Sequence, residues 1–377
     1  MRVAYFSNHF AVRSGHGIAR YGHQLLASLH HFRPDFNIIP VATWSAEDEE
    51  GKKYLCEKYG LRLLPWGRLW TPLGWTFLNW PPIENWIEEP IDLVHVGLLG
   101  YYPIATRKPY LMTIHDIGPL THPEFFSNTK PWILKRTLQH AVVKTDAFIC
   151  VSRATADELE SYVGGHIADR VHVIHEGVAP YFFEKANLAC LASLPSLPEP
   201  ETPFILTVGK ISPRKNVTRV IRALAKLVDI VPHHLLIVGG NGWDMDEVLK
   251  EIAQSEVAER VHLVNYVSNE QLRALYASAS LYVHPSLYEG FGLPVLEAMA
   301  AGCPVVTSDI SSLPEVAGDA ALLVDPFDVD AIAQSIHAVC TDDALADDLV
   351  KRGRARAKKF TWERCAEQVA NVYASII

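Results

Sequence analysis

The sequence predicts an α/β protein built from two doubly wound parallel sheets, and three observations support this. Short apolar runs alternate with helical patterns along the whole chain. The apolar runs are continuous rather than alternating with polar residues, as strands are when helices cover both faces of a parallel sheet. The length of 377 residues suits two domains of roughly 150 residues or somewhat more.

The first half is predicted to form one sheet. Its elements are strand RVAYFS, a helix from about Ile18 to His31, strands FNIIPVA, DLVHVG and YLMTIHD, a helix near Ile133 to Val143, and strands AFICVS and RVHVIHEG. The proline-rich run LACLASLPSLPEPETP has no periodicity and predicts a linker at residues 188–203. The first domain is therefore predicted to span 1–187.

The second half shows the same alternation of predicted strands and helices, which predicts a second domain at 204–358. Its elements are strand FILTVG, a helix from Asn216 to Val228, strand HLLIVGG, a helix from Met245 to Ser255, strand RVHLVNY, a helix from Asn269 to Ala277, strand LYVHPS, a helix beginning near Pro294, strands PVVTSD and AALLVD, and a helix from Asp328 to Val339. Residues 359–377 predict a last helix whose apolar stripe packs on the domain body or crosses back to the first domain.

Composition narrows the class of protein. The chain is 49% hydrophobic with a net charge of −9, which argues against nucleic acid as the main partner because phosphate backbones call for a basic surface. The six cysteines show no metal-binding spacing, and Cys150 and Cys303 are predicted core residues. The start, MRVAYFSNHF, has a strand pattern rather than that of a secretion signal. No uncharged apolar run reaches about 18 residues, so a cytoplasmic enzyme is expected.

The segment YEGFGLPVLEAMAAGCPVV is the most informative motif of the chain. Gly290 and Gly292 permit a tight turn after a buried strand, and Pro294 suits the first turn of a helix. The N–H groups of such a helix start, with the positive end of the helix dipole, favour a phosphate. Glu289 and Glu297 then flank a ligand site. The alternative is a simple turn with solvated carboxylates, but the small alanines of EAMAAG imply close packing and favour the ligand site.

A cationic turn follows the first strand of the second half. GKISPRKN places Lys210, Arg214 and Lys215 between that strand and a helix. Three cations at the carboxyl end of a strand, in the same domain as the glutamate motif, are suited to neutralise a diphosphate. A solvated surface turn is the alternative for this segment taken alone.

The first half contributes weaker candidates. Gly15 and Gly17 in SGHGIARYGH open a helix after the first strand, but the full G-x-G-x-x-G spacing is missing, which disfavours a Rossmann dehydrogenase. His115 follows strand YLMTI and is suited to contact a sugar hydroxyl. His9, His95 and His122 are comparable histidines when each is considered alone.

Three further segments have two interpretations each. The tryptophan-rich residues 65–82 predict either a loop folded on its own aromatics or a contact with an acceptor or a membrane surface. The basic run KRGRARAKKF predicts a solvated helix face, with anionic lipid as the alternative partner. The run DMDE, at residues 244–247, superficially contains a metal-binding Asp-x-Asp pattern but opens a helix, so we interpret it as an N-cap cluster.

Together these segments resemble the large retaining glycosyltransferase family of GT-B architecture, in which two Rossmann-like domains face each other across a cleft, and specifically its fourth sequence family. The resemblance covers nearly the whole chain. It rests on SGHGIARYGHQLL, TIHDIGPLTHPEFF, VIHEGV, TVGKISPRKN, HPSLYEGFGLPVLEAMAAGCPVVTSD and FTWERCAEQVANVY. The family pattern makes 1–187 the acceptor-side domain and 204–358 the nucleotide-sugar-binding domain.

The resemblance also implies roles for individual residues. Arg214 or Lys215, with Lys210, would hold the nucleotide diphosphate, and Glu297 would bind the ribose hydroxyls. Glu289 and the backbone of the loop that follows would hold the donor sugar. His115 would lie near the reacting face of that sugar. The remaining donor-side residues implied are Gly15, Gly17, Gly290, Phe291, Gly292 and Leu293. The family often has arginine at the position of Lys210. Binding of the diphosphate is therefore expected to depend mainly on Arg214 and Lys215.

The expected activity is therefore transfer of a sugar with retention of configuration, without a metal or other cofactor. Similarity to bacterial mannosyltransferases of surface-polysaccharide assembly makes GDP-mannose the first expected donor, and a saccharide or lipid-linked saccharide the expected acceptor, with peripheral contact to the membrane. Three alternatives stay open: a UDP-sugar-dependent glucosyl or N-acetylglucosaminyl transferase, a nucleotide-sugar epimerase, and a non-catalytic sugar-nucleotide-binding protein.

Overall fold

The structure is a computed structural model that describes residues 1–11, 17–43, 49–65, 70–71, 73–100, 103–127, 130–194, 197–199, 201–240 and 242–377. The chain forms two compact units. Unit 1 consists of Met1–Pro123, Asn128–Gly177 and Thr361–Ile377, and unit 2 consists of Glu124–Ser127 and Val178–Phe360.

Unit 1 contains a seven-stranded parallel sheet in the order β3-β2-β1-β4-β5-β6-β7. Its strands are β1 Arg2–Phe6, β2 Asn37–Thr43, β3 Arg62–Leu64, β4 Leu93–Val96, β5 Tyr110–Ile114, β6 Ala147–Cys150 and β7 Val171–Val173. Its helices are α1 Gly17–Phe32, α2 Glu49–Tyr59, α3 Gly118–Thr121, α4 Pro131–Lys144, α5 Arg153–Val163 and, from the end of the chain, α13 Trp362–Ile376. Strands β4, β5 and β6 are buried along their whole length and β1 is buried from Val3 onward, as their continuous apolar sequences predict.

Unit 2 contains a six-stranded parallel sheet in the order β10-β9-β8-β11-β12-β13. Its strands are β8 Phe204–Val208, β9 His234–Val238, β10 Val261–Val264, β11 Leu281–His284, β12 Val305–Ser308 and β13 Leu322–Val324. Its helices are α6 Val217–Ala225, α7 Met245–Gln254, α8 Asn269–Ser278, α9 Leu293–Ala301, α10 Leu313–Ala317, α11 Val329–Thr341 and α12 Asp343–Ala357. The predicted fold class, two doubly wound α/β units, is confirmed.

The segment between the two sheets contains local structure that its sequence did not predict. A 3-10 helix, Leu188–Ser193, occupies the first part of the predicted linker. Its Ser193 accepts a hydrogen bond from Gln271 of α8 at 3.1 Å. Unit 2 includes the whole range Val178–Phe360, so this helix lies within unit 2.

The C-terminal helix α13 is part of unit 1. Its Tyr373 hydroxyl lies 2.7 Å from Nδ1 of His95, a buried residue of β4. A Cβ at Gly177 would lie 2.3 Å from the backbone nitrogen of Trp362, so the absence of a side chain lets the two chain segments approach. The apolar stripe of this helix is thereby buried, as its periodicity predicted.

Several smaller expectations can be compared with the structure. Cys150 and Cys303 are buried, as predicted. Asp244 is the N-cap residue of helix α7, and Asp246 and Glu247 lie in its first turn, as the interpretation of DMDE as an N-cap cluster predicted. The Asp244 side chain itself makes no capping hydrogen bond. The basic run is only partly solvated, because Arg356 donates to the carbonyls of Glu315 and Val316. None of the helices in the described ranges is long and apolar enough to cross a bilayer.

Gly209 directly follows β8 and Gly239 directly follows β9, and the backbones of these two glycines lie close together. Gly239 has φ +152°, and a Cβ there would lie 2.2 Å from the carbonyl oxygen of Gly209. We predict that Gly239→Ala lowers the stability of unit 2 by about 3 kcal/mol, since backbone must move to admit the methyl group. Gly240→Ala is the matched control, because a Cβ there has no atom within 4 Å. Thermal unfolding followed by circular dichroism tests this; equal midpoints for the two variants would contradict it.

Candidate active site

The strand order of unit 2 reverses between β8 and β11, which are neighbours in the sheet. Ligands of doubly wound sheets bind beyond the carboxyl ends of the strands at such a reversal. The segment after β8 carries Arg214 and Lys215, and the segment after β11 carries Glu289. The topology therefore brings together the two motifs that the sequence singled out.

Arg214 and Lys215 lie on a rigid turn. They belong to a 3-10 helix, Pro213–Lys215, which ends at Asn216 in the left-handed conformation (φ 59°). The side-chain amide of Asn216 donates to the backbone carbonyls of Pro285 and Pro326, at 2.9 and 2.7 Å. The amide of Leu287 donates to the carbonyl of Arg214 at 2.7 Å. Both cations are thus fixed against the end of β11.

Glu289 pairs with both cations. Its Oε2 lies 2.7 Å from Nη1 of Arg214, and its Oε1 lies 2.5 Å from Nζ of Lys215. The side chains of Lys215 and Glu289 are each about one-tenth exposed, whereas that of Arg214 is 28% exposed. Two cations face one carboxylate, so the cluster has an excess of positive charge in a largely dry setting. Such a cluster favours an incoming anion.

The pKa shifts follow from the same arrangement. Burial alone would raise the pKa of Glu289, but the charges of Arg214 and Lys215 outweigh it and hold that pKa well below its usual range. Burial lowers the pKa of Lys215, and the Glu289 carboxylate opposes that shift. Glu289 is therefore a carboxylate at neutral pH, held by charge rather than by solvent.

Gly209, at the end of β8, makes room for Lys215. Its φ is +145°, and a Cβ on it would lie 3.0 Å from Cε of Lys215. The lysine stem thus runs directly past the strand end. A side chain at this position would push the ammonium group away from Glu289.

A buried histidine extends the network behind Glu289. Nε2 of His284, the last residue of β11, lies 3.2 Å from Oε1 of Glu289, and Nδ1 lies 2.9 Å from the hydroxyl of Tyr282. Burial, together with the charge of Lys215, lowers the pKa of His284 to about 4. The imidazole is neutral at pH 7, so we assign the proton to Nε2, where it is donated to Glu289, while Tyr282 donates to Nδ1.

This neutral histidine makes stability depend on pH. Between pH 6.5 and 4 the unfolded chain binds a proton at His284 that the folded chain does not, so stability falls as pH falls through this window, by up to about 3 kcal/mol for this group. We predict that His284→Gln loses less thermal stability than the wild type between pH 7 and pH 5. His31→Gln, at an exposed position in α1, is the control. Parallel pH profiles for the wild type and His284→Gln would contradict the prediction.

The loop that follows Glu289 is held by two serines after β12. The hydroxyl of Ser311 donates to the carbonyl of Glu289 at 2.6 Å and accepts from the Glu289 amide at 3.1 Å. The hydroxyl of Ser312 donates to the carbonyl of Phe291 at 2.6 Å. These contacts fix the direction in which the loop presents its backbone at the start of α9.

The start of α9 has the geometry that its sequence predicted. Gly292 precedes the helix with φ +122°, and a Cβ there would lie 2.9 Å from Cδ2 of Leu313. Pro294 lies in the first turn. Phe291 and Leu293 are buried, and Gly290 is half-buried. The first N–H groups of a helix have no carbonyl partner inside it, so this end is suited to an anion.

Glu297 and Lys210 occupy different environments. Glu297 lies inside α9 and is only 2% exposed. Burial raises the pKa of Tyr282, and the charges of Glu289 and Glu297 add to that shift, so the three groups lie within electrostatic reach of one another. Lys210 is exposed and forms no ion pair within the described residues. Of the three predicted cations, the structure thus brings only Arg214 and Lys215 onto Glu289.

The candidates of the first half lie in unit 1. His115 follows β5 and is 8% exposed. Its Nε2 lies 3.1 Å from the carbonyl oxygen of Gly97, and its Nδ1 lies 3.4 Å from Oε1 of Glu176. The ring of Tyr21 meets it edge to face, with centroids 4.6 Å apart. Gly17 is the exposed first residue of α1, and Gly15 lies outside the described residues.

The sequence interpretation missed several residues of this site. Asn216, Tyr282, His284, Ser311 and Ser312 all support the Arg214–Lys215–Glu289 cluster. The polar run SDISS, which begins at the last residue of a buried strand, was an available signal for the two serines. Within the ranges described, no group of three or more His, Cys, Asp or Glu side chains has the arrangement of a metal site.

Comparison with known sequences identifies the family. The model for glycosyltransferase family 4 matches residues 15–181, and the model for glycosyl transferases group 1 matches residues 194–356. O-antigen chain mannosyltransferase B of Escherichia coli is 33% identical over 297 residues, which cover 78% of this chain and 77% of that protein. Glycogen synthase of Mycobacterium tuberculosis is 29% identical over 291 residues, covering 75% of this chain and 68% of that enzyme.

Solved structures show the same fold. Anabaena HepE in complex with UDP and glucose matches with a TM-score of 0.76 at 19% identity, covering all of both chains. Sucrose-phosphate synthase from Thermosynechococcus elongatus matches with a TM-score of 0.75 at 20% identity, covering 100% of this chain and 98% of that one. With its two family matches and the GT-B fold, the chain belongs to glycosyltransferase family 4 and is a glycosyltransferase.

Proposed function

We propose that the enzyme transfers mannose from GDP-mannose to a saccharide or lipid-linked saccharide during synthesis of a surface polysaccharide. The observation that carries the donor side of this proposal is the cluster of Arg214 and Lys215 around Glu289 at the strand reversal of unit 2. A diphosphate is the anion best matched to two fixed cations, one of which presents a planar fork. Relatives named as mannosyltransferases support the choice of sugar.

Each side chain of the cluster has a role in this proposal. Arg214 and Lys215 bind the diphosphate and stabilise the charge that grows on it as the sugar leaves. The N-terminal end of α9 contributes its dipole to the same group. Glu289 offsets one of the two positive charges of the cluster. When the diphosphate takes its place, the carboxylate is released to accept hydrogen bonds from the donor sugar. Glu297 binds the ribose hydroxyls.

We propose a metal-independent reaction, because fixed cations and a helix terminus supply the positive charge that the leaving group requires. The configuration is retained by front-face transfer. The bond from the anomeric carbon to the phosphate oxygen breaks as the bond to the acceptor oxygen forms on the same face, and the acceptor proton passes to the leaving phosphate. Detection of a glycosyl-enzyme intermediate by mass spectrometry would contradict this mechanism.

A UDP-sugar is the second candidate donor, because HepE, which shares the fold, binds UDP and glucose. Family membership sets aside the epimerase and the non-catalytic binding protein. A thermal-shift panel of GDP, UDP and ADP with their sugars distinguishes the donors, since a ligand stabilises the folded state in proportion to its occupancy. Stabilisation by GDP and GDP-mannose above the others is expected; preference for UDP would overturn the choice of GDP-mannose.

The panel also contains an internal test of the site. In Glu297→Ala, nucleotide should raise the melting temperature less than it does in the wild type. Turnover at saturating donor should change less, because the lost contact is made in the bound ground state. Glu270→Ala, an exposed carboxylate in α8, is the control. An unchanged nucleotide shift in Glu297→Ala would remove Glu297 from the donor site.

A further inference from the structure

Unit 1 carries a surface on which exposed apolar and cationic side chains are combined. We call this the aromatic-basic surface and define it by Phe77, Leu78, Trp80, Trp132, Lys135 and Arg136. Phe77 and Leu78 are 67% and 71% exposed, and Trp132 is 70% exposed. Single exposed apolar residues need no explanation, but a group of large ones marks an interaction surface.

The chain holds these side chains outward by burying a neighbour. Trp75 is 1% exposed and donates from Nε1 to the carbonyl of Pro81 at 2.8 Å. It meets the ring of Phe6 with centroids 5.6 Å apart. The turn Gly74–Leu78 is wound as a π-helix, so with Trp75 directed inward Phe77 and Leu78 point to solvent. The segment is thus anchored by Trp75, while Phe77 and Trp80 are each at least half exposed.

A second element completes this surface. Trp132 and Arg136 lie four residues apart on α4, which places them on the same helix face. The guanidinium of Arg136 lies 5.8 Å from the centroid of the Phe77 ring. This contact joins the helix to the π-helical turn, and Lys135 adds a neighbouring exposed cation. The contact between Arg136 and Phe77 therefore brings aromatic and basic side chains of the two elements together on unit 1.

The charge of these two segments is opposite to that of the whole chain. Residues 65–82 and 130–144 together contain five Lys or Arg and no Asp or Glu, whereas the net charge of the protein is −9. A symmetric dimer formed through this patch would place its cations against the same cations of the second copy, so a second copy is disfavoured as the partner. An anionic lipid surface complements it, because aromatic rings favour the membrane interface and Lys and Arg bind anionic headgroups.

We propose that the aromatic-basic surface docks unit 1 on an anionic bilayer, with Phe77, Leu78 and Trp132 inserted among the headgroups and Lys135 and Arg136 paired with lipid phosphates. Docking of this kind requires no spanning helix. It is independent of which nucleotide sugar the enzyme uses, because none of these residues belongs to the donor cluster.

Vesicle co-sedimentation of the full chain, without donor or acceptor, tests the proposal. Vesicles of phosphatidylcholine alone are compared with vesicles containing one quarter phosphatidylglycerol. The wild type should bind the anionic vesicles at about 0.1 M salt and weaken at about 1 M salt, where charges are screened. Lys135→Glu with Arg136→Glu should reduce binding at least about 25-fold, at about fivefold for each charge removed. Phe77→Ser with Leu78→Ser should reduce it about tenfold or more.

Phe327→Ser is the matched control, because Phe327 is also exposed and also lies beneath an arginine, Arg219, but in unit 2. It should bind vesicles as the wild type does. Equal vesicle binding by the wild type and both surface variants would overturn the proposal, as would absence of wild-type binding. If the wild type forms a dimer that both surface variants abolish, the surface binds a second copy instead. If both variants abolish binding of a saccharide, the surface binds the acceptor instead. Transfer to a soluble acceptor should be unchanged in the variants, so failure of docking is separable from failure of the proposed activity.

Discussion

Lys215→Met is expected to lower turnover by about 10²–10³-fold, the loss typical when one fixed donor to a developing charge is removed. The ammonium group lies 2.5 Å from Glu289 and is nearly dry, so solvent does not replace it. Arg214→Ala should give a loss of similar size, because its guanidinium reaches the same carboxylate at 2.7 Å. Steady-state kinetics with saturating acceptor measure both effects.

Two further measurements separate chemistry from folding. Lys226→Met is the matched control, since Lys226 pairs with Asp330 on the surface of the same unit and should leave turnover unchanged. Removing Lys215 also leaves Glu289 with fewer partners, which costs stability. Thermal unfolding therefore accompanies the kinetics. If Lys215→Met does not fold, the more exposed Arg214 supports the test; unchanged turnover in Arg214→Ala would then remove the phosphate role.

The second large effect is expected at His115. His115→Ala should lower turnover about a hundredfold while the affinity for the donor changes much less, because the family resemblance implies a contact of His115 with the reacting sugar and not with the nucleotide. The imidazole is held between the Gly97 carbonyl and the Glu176 carboxylate, and the ring of Tyr21 packs against it nearly perpendicular. Its position is thus set by three groups, as a side chain with a fixed task requires.

His122→Ala is the control for this variant, because His122 lies seven positions further along the same segment and its side chain is 44% exposed. It should keep wild-type turnover. Isothermal titration of the donor and single-turnover kinetics together distinguish the two effects. A parallel loss of donor affinity and turnover in His115→Ala would contradict the claim that His115 acts on turnover and not on binding of the nucleotide.

The sequence predicted the strands well because buried parallel strands read as continuous apolar runs. It predicted α1, α4, α6, α7, α8 and α11 from their periodicity, but not α2, β3, α5 or α10. Helix α2, EEGKKYLCEKY, is largely polar, and β3 is only three residues long. Helix α5 had an available signal, since the Ser152 side chain caps it by accepting from the Thr155 amide.

More of the residues of the site were predicted from the sequence than of the contacts between them. Lys215 and Glu289 were both named, yet their ion pair joins residues 74 positions apart and depends on β8 and β11 being neighbours. His284 ends an apolar strand and was not named as a site residue. Its role depends on contacts of its two ring nitrogens with Tyr282 and Glu289. Periodicity reveals which face of an element is buried, but it does not reveal which buried polar groups meet.

The most direct test of the central claim, that Arg214 and Lys215 bind the diphosphate of the donor, is a titration of two ligands that differ only in that group. Isothermal titration compares GDP with guanosine on the wild type, Arg214→Ala and Lys215→Met, with UDP and uridine in their place if the panel favours uridine. We predict that each substitution weakens binding of the diphosphate at least about tenfold, or about 1.4 kcal/mol, and leaves binding of the nucleoside unchanged. Equal diphosphate affinities in the wild type and both variants would contradict the claim.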